Sequence, residues 1–272
     1  MATSLRDYLR AFIRAPLYLR TIAFRLVAVE TKLDELRVGQ AQGFSPAINV
    51  ASPEVHFANP RDPANQPGTP EALFKVLGDL AVKRSADIVE QEMSEALIFQ
   101  QYEPFLKHCI DRAPRQGAHC EFGVFSGSSI NFCAERRPDI RFDGFDSFEG
   151  LPEEWSGYAA FDFDRKGNIP KVRDNVTLHI GWFDATIPPY RDTIAEIGYL
   201  HVDCDLYSST VCIFDNLGEK LIDGAVILFD EYFCYPGFEQ HERKAFNEYL
   251  ARSGRKVEWF ACCGQRAACI IH

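Results

Sequence analysis

The sequence predicts an α/β fold: an open, mainly parallel sheet covered by helices on both faces, closed by a C-terminal antiparallel hairpin and preceded by a helical extension. Three observations predict it. From residue 118 onward, apolar runs of strand length alternate with helical stretches, near 118–124, 140–146, 176–181, 197–204 and 223–230. Such alternation implies parallel strands joined by crossover helices. After a helix ending near Gly254, Val257–Cys263 and Ala267–His272 flank Gly264-Gln265 and read as two strands joined by a tight turn. Ahead of all this, residues 5–36 carry a helical apolar seam of their own.

At 272 residues the chain can bury one sizeable core, and the remainder is too short for a second enzyme domain. The expected division is a helical heptad segment over 1–40, a linker over 41–69, and one domain over 70–272 whose first part, 70–113, is helical. A composition of 46% hydrophobic and 25% charged residues is that of an ordinary soluble globular chain. No apolar run approaches the roughly 20 residues that span a bilayer, so the chain is not expected to be transmembrane. A net charge of -10 argues against a nucleic-acid partner, which needs a basic surface, and favours a small-molecule or neutral glycan substrate. Nine cysteines without a Cys-x-x-Cys pair, most of them in apolar stretches, read as reduced core thiols and point to the cytoplasm. The N-terminus lacks a small-residue cleavage site, so no secretory signal is expected.

In chain order, Leu5, Tyr8, Phe12, Ala15, Leu19, Ile22, Leu26, Val29, Leu33 and Leu36 follow one another at spacings that alternate between three and four. Pro16 interrupts the seam, which leaves a helix from about residue 17 to 38. A homo-oligomer through this helix is the expectation carried forward; packing on its own domain, or arginines resting on an anionic membrane, are the alternatives. From Gly43 to Pro70, five prolines before Pro70 break regular structure. Thr69-Pro70-Glu71 then supplies a cap, a proline at the first helical position and an acid in the first turn, so helices follow to about residue 113.

The candidate site begins in Ala118–Ile130, where an apolar strand runs through Glu121 into Gly123 and Gly127 and then a helix start. The glycines let the backbone turn sharply and approach a ligand closely, and the helix N–H groups point at it. Asp146 closes the next strand 25 residues beyond Glu121, the place of a carboxylate that accepts ribose hydroxyls. The fourth strand of the series ends in Asp203-Cys-Asp205 and the fifth in Asp230-Glu231. Adjacent carboxyl ends bring four acids together. Like charges so close call for a compensating cation, and oxygen ligands favour Mg²⁺ or a similar hard ion. Solvated acids that cap the following helices are the alternative.

Glu121-Phe-Gly-Val-Phe-Ser-Gly, Phe145-Asp-Ser-Phe-Glu-Gly-Leu-Pro152, Gly181-Trp-Phe-Asp-Ala-Thr-Ile-Pro188, Asp203-Cys-Asp-Leu-Tyr-Ser-Ser-Thr210 and Asp230-Glu-Tyr232 together resemble the macrocin O-methyltransferase (TylF-like) family over roughly residues 115–272. The resemblance implies a Rossmann-like class I methyltransferase sheet, for which a terminal antiparallel hairpin is characteristic. It implies an S-adenosylmethionine-dependent, divalent-metal-dependent O-methyltransferase acting on a sugar hydroxyl of a glycoside, antibiotic or polysaccharide. By position it implies that Glu121, Gly123 and Gly127 hold the methionine part of the cofactor, that Asp146 binds its ribose, and that Ser147, Gly181 and Trp182 border the adenosine. Asp203, Asp230 and Glu231 would ligate the metal, and Asp205 would be the general base. Glu231 departs from the aspartate usual in the family by one methylene.

Two other readings stay open. Asp203-Cys-Asp205 after an apolar strand also matches the metal-binding Asp-x-Asp of nucleotide-sugar glycosyltransferases, and a non-catalytic oligomeric scaffold could keep the fold without the chemistry. Among the remaining polar residues, His201 reads as a core histidine and His241 as a helix-face residue. Trp155, Tyr158, Phe161 and Phe163 suit either a lid over a sugar ring or ordinary loop packing.

Overall fold

The computed structural model describes residues 70–155 and 160–272. The heptad segment over 1–40, the linker over 41–69 and Tyr158 lie outside the described residues. The described chain runs α1 (Pro70–Glu92), β1 (Leu97–Ile98), α2 (Tyr102–Arg112), β2 (Ala118–Phe122), α3 (Ser128–Arg136), β3 (Phe142–Asp146), β4 (Val176–Ile180), α4 (Phe183–Arg191), β5 (Ile197–Val202), α5 (Tyr207–Leu217), β6 (Leu221–Phe229), α6 (Glu242–Ser253), β7 (Val257–Cys263) and β8 (Arg266–Ile271).

These strands form one eight-stranded sheet in the order β1-β7-β8-β6-β5-β2-β3-β4. The pairs β6·β5, β5·β2, β2·β3 and β3·β4 are parallel, whereas β8 runs antiparallel to both β6 and β7. This is a Rossmann-like sheet closed by an antiparallel hairpin. Strand β1 is an addition that the sequence reading, with helices running to about residue 113, did not foresee. Its two residues pair parallel with Ala261 and Cys262, and the Phe99 N–H continues the ladder to the Cys262 carbonyl at 2.8 Å. Two residues are too few to show a period of two, so nothing in the sequence marks the stretch as a strand.

Alternation along the central strands builds the two halves of the core. Leu200 and Val202 of β5 and Ile227 and Phe229 of β6 pack with Ile213, Phe214 and Phe246 of α5 and α6 on one face. Tyr199, Val226 and Leu228 face the other way, against Phe105, Ile110 and Ile130 of α2 and α3. Strands buried on both faces need no polar side, so β5 and most of β6 are almost wholly buried. Phe229 touches four aromatic rings, those of Phe214, Tyr232, Phe246 and Trp259, at centroid distances of 4.8–6.5 Å. Burying such a ring is worth roughly 1.5–3 kcal/mol. All nine cysteines are free thiols and seven of them are buried. Among the described residues no helix is long and apolar enough to cross a membrane.

Candidate active site

The parallel strands β2, β3, β5 and β6 all end on one edge, and the loops leaving that edge carry the conspicuous glycines and acids. Gly123 leaves β2 with φ +99°, and a Cβ there would stand 1.7 Å from the Asp203 carbonyl oxygen. No side chain fits: the loop after β2 and the loop after β5 come together across this glycine. Gly127, at φ +77°, turns the chain into α3.

Asp146 pins the turn that follows. Its Oδ2 accepts the N–H groups of Val124 and Phe125 at 2.9 and 2.7 Å, and its Oδ1 accepts that of Phe148 at 2.7 Å. A carboxylate offers about four acceptor sites, so little more than one is left to face outward. Asp146 therefore ties the loops after β2 and β3 together besides bordering the space between them.

That space is a cavity of about 630 Å³, within the usual range of about 300–1,000 Å³ for small-molecule sites. Eight of the eleven residues singled out from the sequence line it: Gly123, Asp146, Ser147, Gly181, Trp182, Asp203, Asp205 and Glu231. Glu121, Gly127 and Asp230 are not among its walls. Glu121 is 2% exposed; Ser129 Oγ donates to its Oε1 at 2.8 Å and His201 Nδ1 to its Oε2 at 3.1 Å. It is a buried brace behind the turn.

The four strand-end acids separate into two environments. Asp230, at the end of β6, is buried and gripped by Arg266, whose Nε and Nη2 each donate at 2.7 Å. His201 Nε2 stands 3.6 Å from Asp230 Oδ1. Burial alone would raise the Asp230 carboxyl, but His201 and Arg266 outweigh it and hold the group below the usual carboxylate range. Burial alone would lower the His201 imidazole; hydrogen bonding with Asp230 and Glu121, and the charges of Glu121 and Asp203, reverse that and lift it to about 10. His201 thus has a carboxylate facing each nitrogen, and His201, Asp203 and Asp230 each bring one donor atom within 4.8 Å of the others'.

Among the described residues, Asp203, Asp205 and Glu231 have no guanidinium of this kind, and only Asp203 stands near His201. One oxygen of each lies within 4.8 Å of one oxygen of the others. Burial first, and then the charge of Asp230, push Asp203 well above its ordinary value. Burial likewise lifts Asp205 to about 7, opposed by a hydrogen bond with Glu231 and reinforced by the charge of Asp230. Glu231 is raised by burial and then by Asp205, and its Oε2 is buried without a hydrogen-bond partner. Three clustered carboxyls and an orphaned oxygen form an all-oxygen donor set of the kind that suits a hard divalent cation. Asp205 also sits at φ +63°, a strained backbone for a non-glycine residue that aims its side chain at this cluster. Strand β5 stops at Val202, so the loop, and not continued strand alternation, brings Asp203 and Asp205 together.

Sequence reasoning missed several residues. Phe125, Asp184, Ser208, Ser209, Cys212 and Gln265 also line the cavity. Asp184 had a signal, an acid in the first turn of α4 three residues after Gly181; Gln265, in the hairpin turn, had none. Trp155 and Phe163 line the wall too, with Phe163 edge-on to Phe125 at 6.1 Å and the Arg165 guanidinium 5.0 Å over the Phe125 ring. Ser208 Oγ donates to Glu153 at 2.5 Å, so the loop after β3 is fastened to α5. His241 is half-buried between Trp155 and Tyr235 and does not lie on a solvated helix face.

Residues 120–232 match the family model described as a methyltransferase domain. A curated relative, the 8-demethyl-8-(2,3-dimethoxy-alpha-L-rhamnosyl)-tetracenomycin-C 4'-O-methyltransferase of Streptomyces olivaceus, is 26% identical over 179 residues, covering 55% of this chain and 65% of the relative. The chain thus spans less than two thirds of the length of that relative. Among solved structures, the O-methyltransferase NovP is 21% identical, with 62% of this chain and 78% of that one covered at a TM-score of 0.47. The calicheamicin methyltransferase CalS11 is 20% identical, with 76% and 87% covered at a TM-score of 0.48.

Proposed function

We propose that the protein is an S-adenosylmethionine-dependent O-methyltransferase of the macrocin (TylF-like) family, acting on a sugar hydroxyl with the help of a divalent cation. The observation that carries this reading is the meeting, around one cavity, of a nucleotide-type wall and an acid cluster. Asp146, Gly181 and Trp182 line it together with Asp203, Asp205 and Glu231. A methyltransferase domain over 120–232 and a relative named for methylating a rhamnosyl group point the same way.

Within this reading each residue has a physical task. When bound, the donor supplies an electrophilic methyl group and the cation lowers the pKa of an acceptor hydroxyl. Asp203 and Glu231 are the assigned cation ligands, since Mg²⁺ commonly takes one or two carboxylates and keeps several waters; Asp230, expected as the third ligand, has both oxygens held by Arg266 and is not in the cavity wall. Asp205, in the same cluster and held by a strained backbone, is the assigned proton acceptor. Asp230, compensated by Arg266 and His201, backs Asp203 from behind the wall. Gly123 lets two loops meet without a side chain between them, and Asp146 fixes the turn against which the donor lies. Trp182, Trp155 and Phe163 offer flat apolar surface to an adenine or a sugar ring. Positioning of acceptor oxygen and methyl carbon supplies much of the acceleration in such a transfer.

Calorimetry tests the assignment. S-adenosylmethionine is expected to bind in the micromolar range, whereas a panel of sugar nucleotides shows no comparable heat; the reverse pattern would favour a glycosyltransferase. The proposed homo-oligomer through residues 17–38 is tested by sedimentation of the full chain against one starting near residue 40. Equal masses per chain count would refute it.

A further inference from the structure

We infer that Glu242 is a positioning residue for the acid cluster, clamping the two loops that carry Asp203, Asp205 and Glu231. The inference rests on the cation reading proposed above and adds to it a residue outside the cavity wall.

Glu242 opens α6 and is completely buried. An acid in the first turn of a helix usually reaches solvent near the positive end of the dipole. This one turns inward. Its Oε1 accepts the Cys204 N–H at 3.4 Å and its Oε2 accepts the Glu231 N–H at 3.1 Å. Among the described residues it forms no ion pair, while its neighbour Arg243 pairs with Glu92. A buried carboxyl without a cation is a costly residue for packing alone, and an apolar side chain of similar volume would cost less.

The two donors explain its position. The sheet ladder ends where the Asp203 N–H bonds the Phe122 carbonyl and the Asp230 N–H bonds the Val202 carbonyl, each at 2.9 Å. Cys204 and Glu231 follow directly, and Glu242 accepts from both of these first donors beyond the ladder. Cys204 lies between Asp203 and Asp205, so one oxygen of Glu242 holds the loop after β5 and the other holds the loop after β6. The separation of those loops sets the distance between the cluster's carboxylates. Asp205, next in the chain to a clamped residue, keeps its left-handed backbone at φ +63°. Residues that orient ligands in this way typically change metal affinity by about 10–100-fold when removed.

Mn²⁺ binding followed by electron paramagnetic resonance, without donor or acceptor, tests the clamp on the full chain. Glu242→Leu removes both acceptors and keeps most of the volume, and Glu242→Gln keeps one acceptor oxygen. The expected order of Mn²⁺ affinity is wild type, Glu242→Gln, Glu242→Leu, with a loss of roughly tenfold or more at the end of the series. Cooperative melting and S-adenosylmethionine affinity should be retained, and the later kinetic signature is a lower kcat at unchanged donor KM. If Glu242→Leu fails to fold, Glu242→Gln alone carries the test and must still weaken Mn²⁺ several-fold. Wild-type affinity in a folded variant would overturn the clamp and leave the cation reading intact. No Mn²⁺ binding by the wild type would overturn both.

Discussion

Arg266 grips both oxygens of Asp230 at 2.7 Å, in the fork geometry of a guanidinium facing a carboxylate. The guanidinium also lies 4.2 Å over the Tyr102 ring. One acid of four thereby has its own counterion, and Asp203, Asp205 and Glu231 are left to face the cavity together.

Arg266→Met should leave a buried carboxylate with His201 as its remaining partner. Breaking one side of a buried pair costs about 3–5 kcal/mol, and His201 brings this toward the lower figure. Adding Asp230→Asn removes the uncompensated charge and should restore part of the loss, which a double-mutant cycle by urea unfolding would read directly. A single variant within 0.5 kcal/mol of wild type would show that the grip carries little weight.

Asp205→Asn keeps shape and volume and removes the proposed proton acceptor. Donor binding and Mn²⁺ binding should persist, whereas turnover should fall by about 10²–10⁴-fold. Single-turnover kinetics with labelled donor checks this, and a wild-type rate would remove Asp205 from the mechanism.

Two glycines with positive φ should respond very differently to alanine. At Gly123 a Cβ meets the Asp203 carbonyl at 1.7 Å, while at Gly224, φ +87°, nothing lies within 4 Å. Gly224→Ala should cost about 1–2 kcal/mol for its backbone alone. Gly123→Ala must also separate two loops and should cost about 3 kcal/mol or more, or prevent folding. Equal urea midpoints for the two variants would contradict the close approach.

The sheet and most of the site were legible because their signals are local. Apolar runs of strand length mark β2, β3, β5 and β6, and the acids at their carboxyl ends announce themselves once the strands are parallel. What escaped depends on residues far apart in sequence. Arg266 sits 36 positions beyond Asp230 on the antiparallel hairpin, and nothing in either stretch reveals that they meet. Glu242 reads as an ordinary first-turn acid until the helix is placed with that face against the sheet edge. His201 is identifiable as a core histidine, but the carboxylates at its two nitrogens, Glu121 and Asp230, come from the flanking strands. Asp203 and Asp205 read as the end of a strand, whereas β5 stops at Val202 and a loop with Asp205 at positive φ brings the two acids together.

His119 should give the protein a pH dependence separate from the candidate active site. It is fully buried on β2, stacked on Tyr199 at 5.8 Å and edge-on to Phe142 at 5.4 Å. Burial lowers its pKa to about 4, partly opposed by a hydrogen bond with the Gly117 carbonyl. The folded state thus binds fewer protons than the unfolded state between the two pKa values, so stability falls as the pH drops below the unfolded value near 6.5. Down to pH 4 the loss from this one group is about 3 kcal/mol. Melting curves of wild type and His119→Gln from pH 7.5 to 4.5 should show a shallower decline in the variant; parallel curves would assign the effect elsewhere.

The central claim is tested most directly by methyl transfer from labelled S-adenosylmethionine to a panel of neutral glycosides in the presence of Mg²⁺, with chelator and Asp205→Asn as controls. Label is expected on a sugar oxygen, lost with chelator and in the variant. Donor that neither binds nor transfers, or transfer at an unchanged rate in excess chelator, would contradict it.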